Sequence, residues 1–291
     1  MRKVMNKGYK DFPCDICGSD DAVEVPHARA HTGDQAVHIC RNCGFVYVKA
    51  RRDATAIAAA WSDEIYGDVY TARIPAVKAR QVYVADFIDV TLGLTGKQLF
   101  DIGAGEGQFL DIARRDYGAQ VFGTEPSTRN CEILAGLGIG HFVGTIEQFH
   151  DSTAARSYRA DIATIMWTLE NCESCERMLA CAHDALVDGG HVVVATGSRI
   201  LVPFKKPLQL YLSKNPADSH CFRFSANALQ SILAKTGFAL VHVNKYIDSD
   251  ILCMVGRKAS RSEPLPMPKD DYRDVANFFE RWHQESQRYS L

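Results

Sequence analysis

Four cysteines near the N-terminus have the residue type and the spacing of a metal-binding site. Two C-x-x-C-G units supply them, and they are Cys14, Cys17, Cys40 and Cys43. Two residues between thiolates let one tight turn present both sulfurs to the same ion, and four thiolates form a closed tetrahedral shell around Zn²⁺. We therefore predict a structural zinc site, with an iron site or an unmetallated module as the alternatives. Because four sulfurs fill that shell, we expect the histidines between the pairs to be surface or hairpin residues (His27, His31 and His38).

A glycine-rich stretch, DIGAGEGQF, begins at Asp101 and follows a predicted strand. Its glycines, Gly103, Gly105 and Gly107, remove side chains where a backbone turn meets a ligand, and a helix is predicted directly after them. Glu125 ends the next predicted strand, where its carboxylate can accept hydrogen bonds from both hydroxyls of a ribose. The pattern predicts a cofactor that contains a nucleoside.

Two cofactors fit such a loop, a dinucleotide and S-adenosylmethionine. The dinucleotide fingerprint is G-x-G-x-x-G. This chain has G-x-G-x-G instead, with Asp101 in front of it. An acidic side chain at the end of the strand repels a pyrophosphate but suits an ammonium or a sulfonium group. We therefore favour S-adenosylmethionine over NAD on electrostatic grounds.

The elements that must position these residues follow an alternating pattern. From Lys97 onward, apolar strands alternate with helices, which indicates an α/β fold with a mostly parallel sheet. The last two predicted strands, ALVHVNKY and ILCMVGRK, have no helix between them and predict an antiparallel pair at one edge. Upstream, helices are predicted at 54–66, with Asp53 as the N-cap, and at 72–92; Ser225 is the predicted N-cap of a later helix. We divide the chain into a zinc-binding module (1–52), a helical linker or lid (53–96), a cofactor-binding domain (97–258), and a linker with an amphipathic tail helix (259–291).

Composition narrows the class of protein. The 291 residues carry a formal net charge of −2, which argues against a nucleic-acid partner because such proteins usually have a basic balance. No apolar run reaches the ~18 residues of a membrane helix, and the N-terminus lacks the apolar segment of a secretory signal. We therefore expect a cytoplasmic protein with reduced cysteines and no membrane span. We expect Cys172 and Cys175, a third C-x-x-C pair, to be ordinary small residues, with a metal or redox pair as the alternative, and the remaining cysteines to be buried apolar residues.

The order of these motifs resembles that of class I S-adenosylmethionine-dependent methyltransferases. LFDIGAGEGQFL is similar to their first motif, VFGTEPS to their second, DIATIMWTLEN to their fourth-strand motif and LVDGGHVVVAT to their fifth-strand motif. The resemblance covers Lys97 to Lys258. It implies a Rossmann-like seven-stranded methyltransferase sheet whose last strand is antiparallel, here with an N-terminal zinc-ribbon module and a C-terminal tail helix.

The same resemblance assigns cofactor-binding residues by position. It implies that the glycine loop lies along the methionine part, that Glu125 holds the ribose, and that Met166 and Trp167 form the floor of the methyl-donor site. The residues after the second and third strands would shape and flank the adenine. The full set is Asp101, Gly103, Ala104, Gly105, Gly107, Glu125, Pro126, Ser127, Ile146, Glu147, Met166 and Trp167.

A closer resemblance joins both halves of the chain. CDICG…CRNCGFVYVKARRD, followed by a helical segment with tyrosines and then by GTEPS, is similar to the zinc-containing sugar methyltransferases, which include C-methyltransferases of nucleotide-linked deoxysugars. In that family, tyrosines before the core and a histidine after the fifth strand line the acceptor pocket, which implies Tyr66, Tyr70 and His220 here. Two positions depart from the family. Asn171 stands where the family has a histidine, and Ser219 where it has a glutamate, so the substrate and the methylated atom stay open.

The motifs together predict a function. We expect methyl transfer from S-adenosylmethionine to a sugar or a sugar nucleotide, as O- or C-methylation in glycan or secondary-metabolite biosynthesis. A hydroxyl or an acidic carbon needs a general base, and His titrates nearest neutral pH. The candidate catalytic residues are His220, Tyr66, Tyr70 and Asn171. The alternatives are an rRNA or tRNA methyltransferase with a zinc module, and a catalytically inactive zinc-stabilised binding protein; the tail helix leaves a homodimer open.

Overall fold

A computed structural model describes residues 8–33, 35–61, 74–197, 200–201, 207–244, 251–260 and 262–288. Tyr66 and Tyr70 lie outside these ranges, so their place in an acceptor pocket stays a prediction.

Strands and helices alternate through most of the described chain. The strands are β1 (Lys10–Asp11), β2 (Ala22–Glu24), β3 (Val37–Cys40), β4 (Val46–Val48), β5 (Ala50–Arg51), β6 (Gln98–Ile102), β7 (Gln120–Glu125), β8 (Gly140–Val143), β9 (Ala160–Met166), β10 (Leu186–Thr196), β11 (Phe222–Arg223), β12 (Phe238–Val243) and β13 (Leu252–Lys258). The α-helices are α1 (Ala54–Ala60), α2 (Ile74–Leu92), α3 (Gln108–Tyr117), α4 (Thr128–Gly136), α5 (Ile146–Asp151), α6 (Cys175–Ala185), α7 (Leu208–Leu212), α8 (Pro216–Ser219), α9 (Ala226–Lys235) and α10 (Tyr272–Gln287).

The predicted α/β sheet is confirmed. It has seven strands in the order β12-β13-β10-β9-β6-β7-β8. β13 runs antiparallel to both of its neighbours, and the other pairs are parallel. The predicted antiparallel pair at one edge is therefore correct. The carboxyl ends of β6, β7, β9 and β10 meet at one edge of the sheet, which is where open α/β sheets bind ligands.

Helices cover both faces of this sheet, so its central strands are apolar on both sides. On β10, Val192 and Val194 pack into one core, and Val193 packs into the core on the opposite face. The cysteines outside the N-terminal cluster are buried, as expected: Cys131, Cys172, Cys175, Cys181, Cys221 and Cys253.

Helix N-caps agree with the sequence. The Asp53 carboxylate accepts a hydrogen bond from the Ala56 N–H at 2.8 Å, and the Ser225 hydroxyl accepts one from the Ala228 N–H at 3.0 Å. Such caps satisfy donors that the first helical turn leaves open. The helix predicted at 54–66 is described as α1 from Ala54 to Ala60, and the predicted part beyond residue 61 lies outside the described residues.

The sheet of the N-terminal module includes one strand, β11, from the C-terminal half of the chain. Its four-stranded sheet has the order β11-β4-β3-β2. Phe222 and Arg223 of β11 pair with β4, and the Val48 N–H donates to the Cys221 carbonyl at 2.8 Å. The module and the segment after the fifth strand of the large sheet are therefore one continuous structure.

A buried ion pair fixes the module against helix α6. Arg51 is fully buried and donates to the Asp15 carboxylate at 2.9 Å, between the rings of Phe12 and Phe222. The Ser174 hydroxyl, which also caps α6, donates to the other Asp15 oxygen at 3.1 Å. Both oxygens of this carboxylate thus have partners, as a buried charge requires.

The tail helix α10 packs against the N-terminal module. Val275, Phe279 and Trp282 are buried against the apolar face of the module's sheet. The Trp282 ring also lies 4.5 Å from that of Tyr211, centroid to centroid. Among the described residues, none of the helices combines the length and the apolar character that a membrane crossing demands.

Candidate active site

A cavity of about 580 Å³ opens at the carboxyl edge of the large sheet. The glycine loop and the ends of β7 and β9 line one half of it. The second half is lined by α1, by Asn171 and by residues 210–220, and residues of α2, among them Arg80, also line the cavity. One space therefore contains the predicted cofactor loop and the predicted acceptor residues, and we name its two parts the donor half and the acceptor half after those expectations.

Two glycines of the loop are required by close packing. Gly103 has φ +77°, and a Cβ added to it would lie 2.6 Å from Thr168 Cγ2. Gly107 has φ +80° and begins α3, where a Cβ would collide with Leu134. Gly103 and Gly105 line the cavity, whereas Gly107 is not among its lining residues. The third glycine thus serves the packing of α3 against α4.

Glu125 ends β7 at the floor of the donor half and holds the loop in shape. One carboxylate oxygen accepts from the Gly105 N–H at 2.8 Å. The other accepts from the Ser127 N–H at 2.9 Å and from the Asn130 amide at 3.3 Å. Burial raises the pKa of Glu125, and the N–H donors of Ser127 and Gly105 oppose that rise. The carboxylate has two tasks, because it fixes the glycine loop and it lines the cavity.

Two further carboxyls in the cavity wall have raised pKa values. Burial raises the pKa of Asp101 to about 7, although the Thr164 hydroxyl donates to it at 2.7 Å. Burial raises the pKa of Glu170 to about 7 as well, and the positive charge of Arg80 opposes this. One Glu170 oxygen has no hydrogen-bond partner among the described residues. Carboxyls that titrate near neutral pH in a cleft are typical of functional sites.

The remaining predicted cofactor residues fall into two groups. Those that line the donor half are Ala104, Pro126, Ile146, Glu147, Met166 and Trp167. Ser127 is not among the lining residues, and its hydroxyl caps α4. Trp167 has φ +54°, a strained value for a bulky residue, and strain of this kind concentrates at functional sites.

Arg80 is a site residue that the sequence analysis did not identify. It lies on α2, lines the cavity, and places its guanidinium 4.6 Å from the centre of the Trp167 ring. Among the residues that the structure describes, it forms no hydrogen bond and no ion pair, and it is the one Lys or Arg side chain that lines the cavity. An arginine in a cleft whose guanidinium has no hydrogen bond to a described residue can pair with an anionic ligand group.

The structure brings His220 and Asn171 to the acceptor half. The His220 ring meets the Trp61 ring edge-on with 6.2 Å between centroids, and its Nδ1 lies 3.2 Å from the Ser213 hydroxyl. The Asn171 amide donates to the Trp167 carbonyl at 2.8 Å, and its side-chain oxygen has no partner within the described ranges. Trp61 and Ser213 were not predicted, because neither residue type marks a site by itself.

The N-terminal cysteines form a compact cluster away from this cavity. All four sulfurs lie within 4.8 Å of one another, with Cys14–Cys43 at 3.6 Å and Cys17–Cys40 at 3.4 Å. The cluster comprises Cys14, Cys17, Cys40 and Cys43, as the spacing predicted. His27 is exposed as expected, while His31 and His38 are half-buried.

Fold and site together define a class of protein. The strand order, the glycine loop and the acidic residue at the end of β7 are those of a nucleoside-cofactor enzyme of the class I methyltransferase type. The family model described as "Methyltransferase domain" matches residues 77–243, more than half of the chain. The chain belongs to this methyltransferase family, and it is an S-adenosylmethionine-dependent methyltransferase. A search of curated proteins finds no significant match.

Solved structures with the same fold have diverse descriptions. The 1,6-didemethyltoxoflavin-N1-methyltransferase of Burkholderia thailandensis, with S-adenosylhomocysteine bound, is 14% identical, with a TM-score of 0.55 over 82% of this chain and 100% of that one. The magnesium protoporphyrin IX methyltransferase of Synechocystis, with S-adenosylhomocysteine bound, is 14% identical, with a TM-score of 0.51 over 71% of this chain and 100% of that one. The pyocyanin biosynthetic protein PhzM is 16% identical, with a TM-score of 0.52 over 69% of this chain, which spans 62% of PhzM. At these identities the likeness concerns the fold alone.

Proposed function

We propose that this methyltransferase transfers the methyl group of S-adenosylmethionine to a hydroxylated small molecule, a sugar or a sugar nucleotide. The observation that carries the proposal is the single cavity that joins the glycine loop to a wall of aromatic and neutral polar side chains. S-adenosylmethionine, when bound, supplies an electrophilic methyl group on a sulfonium; the S–CH₃ bond breaks as the bond to the acceptor atom forms, and sulfur keeps the electron pair.

Charge in the donor half supports this cofactor. The lining residues there include acidic side chains, among them Asp101, Glu125 and Glu147. They suit the ribose hydroxyls, the ammonium and the sulfonium of the donor, and they oppose a pyrophosphate. The one anionic group of the donor is its carboxylate, and we assign it to Arg80, the cationic lining residue beside Trp167.

The acceptor half suits the hydroxylated ring of a sugar. The Trp61 ring offers an apolar face of the kind on which a sugar ring packs, and Asn171 and Ser213 offer hydrogen bonds to hydroxyls. The unpartnered Asn171 oxygen fits this role, since a buried polar atom usually has a partner in the working complex.

The acceptor must also lose a proton. His220 faces the cavity with Nδ1 at the Ser213 hydroxyl, so the proton of the acceptor would pass to the second ring nitrogen, Nε2. Glu170 is a second candidate base, because burial raises the pKa of its carboxyl to about 7 and one of its oxygens has no partner among the described residues. We place His220 first because Glu170 is only 2% exposed.

The cysteine cluster fits a structural Zn²⁺. A tetrahedral zinc with Zn–S bonds of about 2.3 Å separates its sulfurs by about 3.8 Å, close to the spacing in the cluster. The donor set has four thiols and no position for a water, so Cys14, Cys17, Cys40 and Cys43 would hold the ion without giving it a catalytic role. The ion would close the module that carries β11.

A transfer assay tests the proposed acceptor. The purified protein is incubated with S-adenosylmethionine labelled in the methyl group, with a panel of nucleotide-linked deoxysugars and, separately, with total RNA. Label on a sugar supports the proposal. Label on RNA and on no sugar would replace it with the RNA methyltransferase alternative, and failure of S-adenosylhomocysteine to bind would favour the inactive binding protein.

A further inference from the structure

Arg223 is a fully buried cation that is bonded to backbone carbonyls. It is 1% exposed, and among the described residues it takes part in no ion pair. Its guanidinium donates to three backbone carbonyls instead, those of His220 at 2.8 Å, Tyr211 at 3.4 Å and Leu212 at 2.5 Å. A buried charge is costly unless it is paired or hydrogen-bonded. Within the described ranges these bonds go to two segments that line the acceptor half, residues 211–213 and His220, which we call the acceptor wall.

One of those segments is strained at the residue that contacts His220. Ser213 has φ +67°, a conformation that side-chain-bearing residues rarely adopt. It directly follows Leu212, whose carbonyl Arg223 holds, and its hydroxyl reaches His220 Nδ1 at 3.2 Å. Strain of this kind persists only where surrounding contacts over-determine it.

We propose that Arg223 is the positioning residue of the acceptor wall: it clamps the carbonyls of Leu212 and His220 together and so holds Ser213 in the strained conformation that fixes the His220 imidazole. The clamp is anchored in the N-terminal module, because Arg223 lies on β11 and pairs with Val46 of β4. The inference rests on the proposed function only in assigning His220 to the acceptor.

The clamp has a chemical consequence for the imidazole. As a base at Nε2, neutral His220 must carry its proton on Nδ1, and the Ser213 oxygen, 3.2 Å away, can accept the hydrogen bond that this Nδ1–H donates. A wall that holds Ser213 in this place therefore favours the Nδ1–H tautomer, and a loosened wall lets both tautomers exchange. Arg223 would act on the reacting group through His220 without touching the acceptor.

The test is a ¹⁵N spectrum of the histidine side chains in the full chain with S-adenosylhomocysteine bound. His220 is assigned with His220→Gln, and Ser213→Ala serves as the reference for a ring without its hydroxyl partner. We expect one His220 tautomer in the parent protein. In Arg223→Lys, which keeps the charge but loses the planar fork, we expect averaged signals like those of Ser213→Ala. The affinity for S-adenosylhomocysteine, measured by calorimetry, stays within about twofold, since Arg223 does not line the donor half.

A matched control separates this role from mere stability. Arg51 is also fully buried, but it pairs with Asp15 and holds no carbonyl of the wall. We expect Arg51→Lys to lower the melting temperature and leave the His220 spectrum unchanged. An unchanged spectrum in Arg223→Lys, or the same spectral change in Arg51→Lys, would overturn the proposal whether or not a sugar is methylated.

A double variant keeps the proposal testable where the spectrum is crowded. Glycine adopts φ +67° without strain, so Ser213→Gly removes the backbone strain that, in our proposal, Arg223 holds in place. Arg223→Lys alone should lower the melting temperature by roughly 3–9 °C, and in the Ser213→Gly background this loss should be at least halved. An equal loss in both backgrounds would show that Arg223 does not hold the strained segment and would contradict the proposal.

Discussion

Replacement of Glu125 by glutamine probes the donor site most directly. The structure separates two tasks of this carboxylate, because its oxygens accept from the Gly105 and Ser127 N–H groups and also face the cavity. Glutamine keeps the size and one carbonyl oxygen, but it loses the charge and points an NH₂ group at one of these donors. We therefore expect weaker donor binding together with a looser glycine loop.

The magnitude follows from the bonds that are lost. A hydrogen bond to a charged group contributes about 1.5–3 kcal/mol, so removal of the charge at the ribose should weaken S-adenosylhomocysteine about 10- to 150-fold. In Glu125→Gln one N–H donor is left without an acceptor, which should lower the free energy of unfolding by about 1–3 kcal/mol. Alanine would leave the N–H groups of both Gly105 and Ser127 without an acceptor, so Glu125→Ala should lower the free energy of unfolding more than Glu125→Gln does.

Calorimetry with S-adenosylhomocysteine measures the first effect and thermal unfolding the second. Asp111→Asn is the matched control, because it removes one negative charge from α3, where Asp111 pairs with Arg114 and Arg115 outside the cavity. An analogue without ribose hydroxyls should bind Glu125→Gln and the parent protein within a few-fold of each other. Unchanged affinity for S-adenosylhomocysteine in Glu125→Gln would refute the ribose assignment.

Four further outcomes are expected. Arg80→Gln should weaken S-adenosylhomocysteine about tenfold and leave a donor analogue without the carboxylate unaffected; equal losses for both ligands in calorimetry would exclude the carboxylate pairing. The affinity for S-adenosylmethionine should rise as the pH increases through about 7, because the cationic donor prefers ionised Asp101, and Asp101→Asn should flatten this titration. By the same linkage ionisation of Asp101 costs the unliganded protein stability as the pH rises from about 4 to about 7, since the folded state holds a proton that the unfolded state releases; the stability of Asp101→Asn relative to the parent protein should therefore increase over this range, and a difference that does not change with pH would contradict the assignment. Cys14→Ser should abolish stoichiometric zinc in elemental analysis and lower the melting temperature while S-adenosylhomocysteine still binds; normal stability with lost transfer would overturn the structural role of the metal.

The donor half could be predicted from the sequence because its signals are local. The glycine loop, the strand before it and Glu125 lie within one strand–helix–strand unit, and each element is long enough to show its period. The spacing of the cysteines similarly predicts their cluster without any knowledge of the rest of the fold. Gly107 is the exception in the loop, since its requirement comes from Leu134 on a different helix.

The acceptor half could not be predicted in the same way, because it is assembled from distant segments. β11 has two residues, too few for an alternating pattern, yet it joins the module's sheet and brings His220 to the cavity. Trp61, Arg80 and Ser213 come from three separate elements and carry no motif. Their roles arise from tertiary contacts, such as the edge-on meeting of the Trp61 and His220 rings.

A crystal structure of the complex with S-adenosylhomocysteine would test the central claim, that one cavity aligns donor and acceptor. The account predicts the ribose hydroxyls on Glu125, the carboxylate at Arg80, and the sulfur directed toward the wall that holds His220 and Asn171. A ligand whose sulfur faces away from that wall, or whose ribose does not reach Glu125, would contradict it.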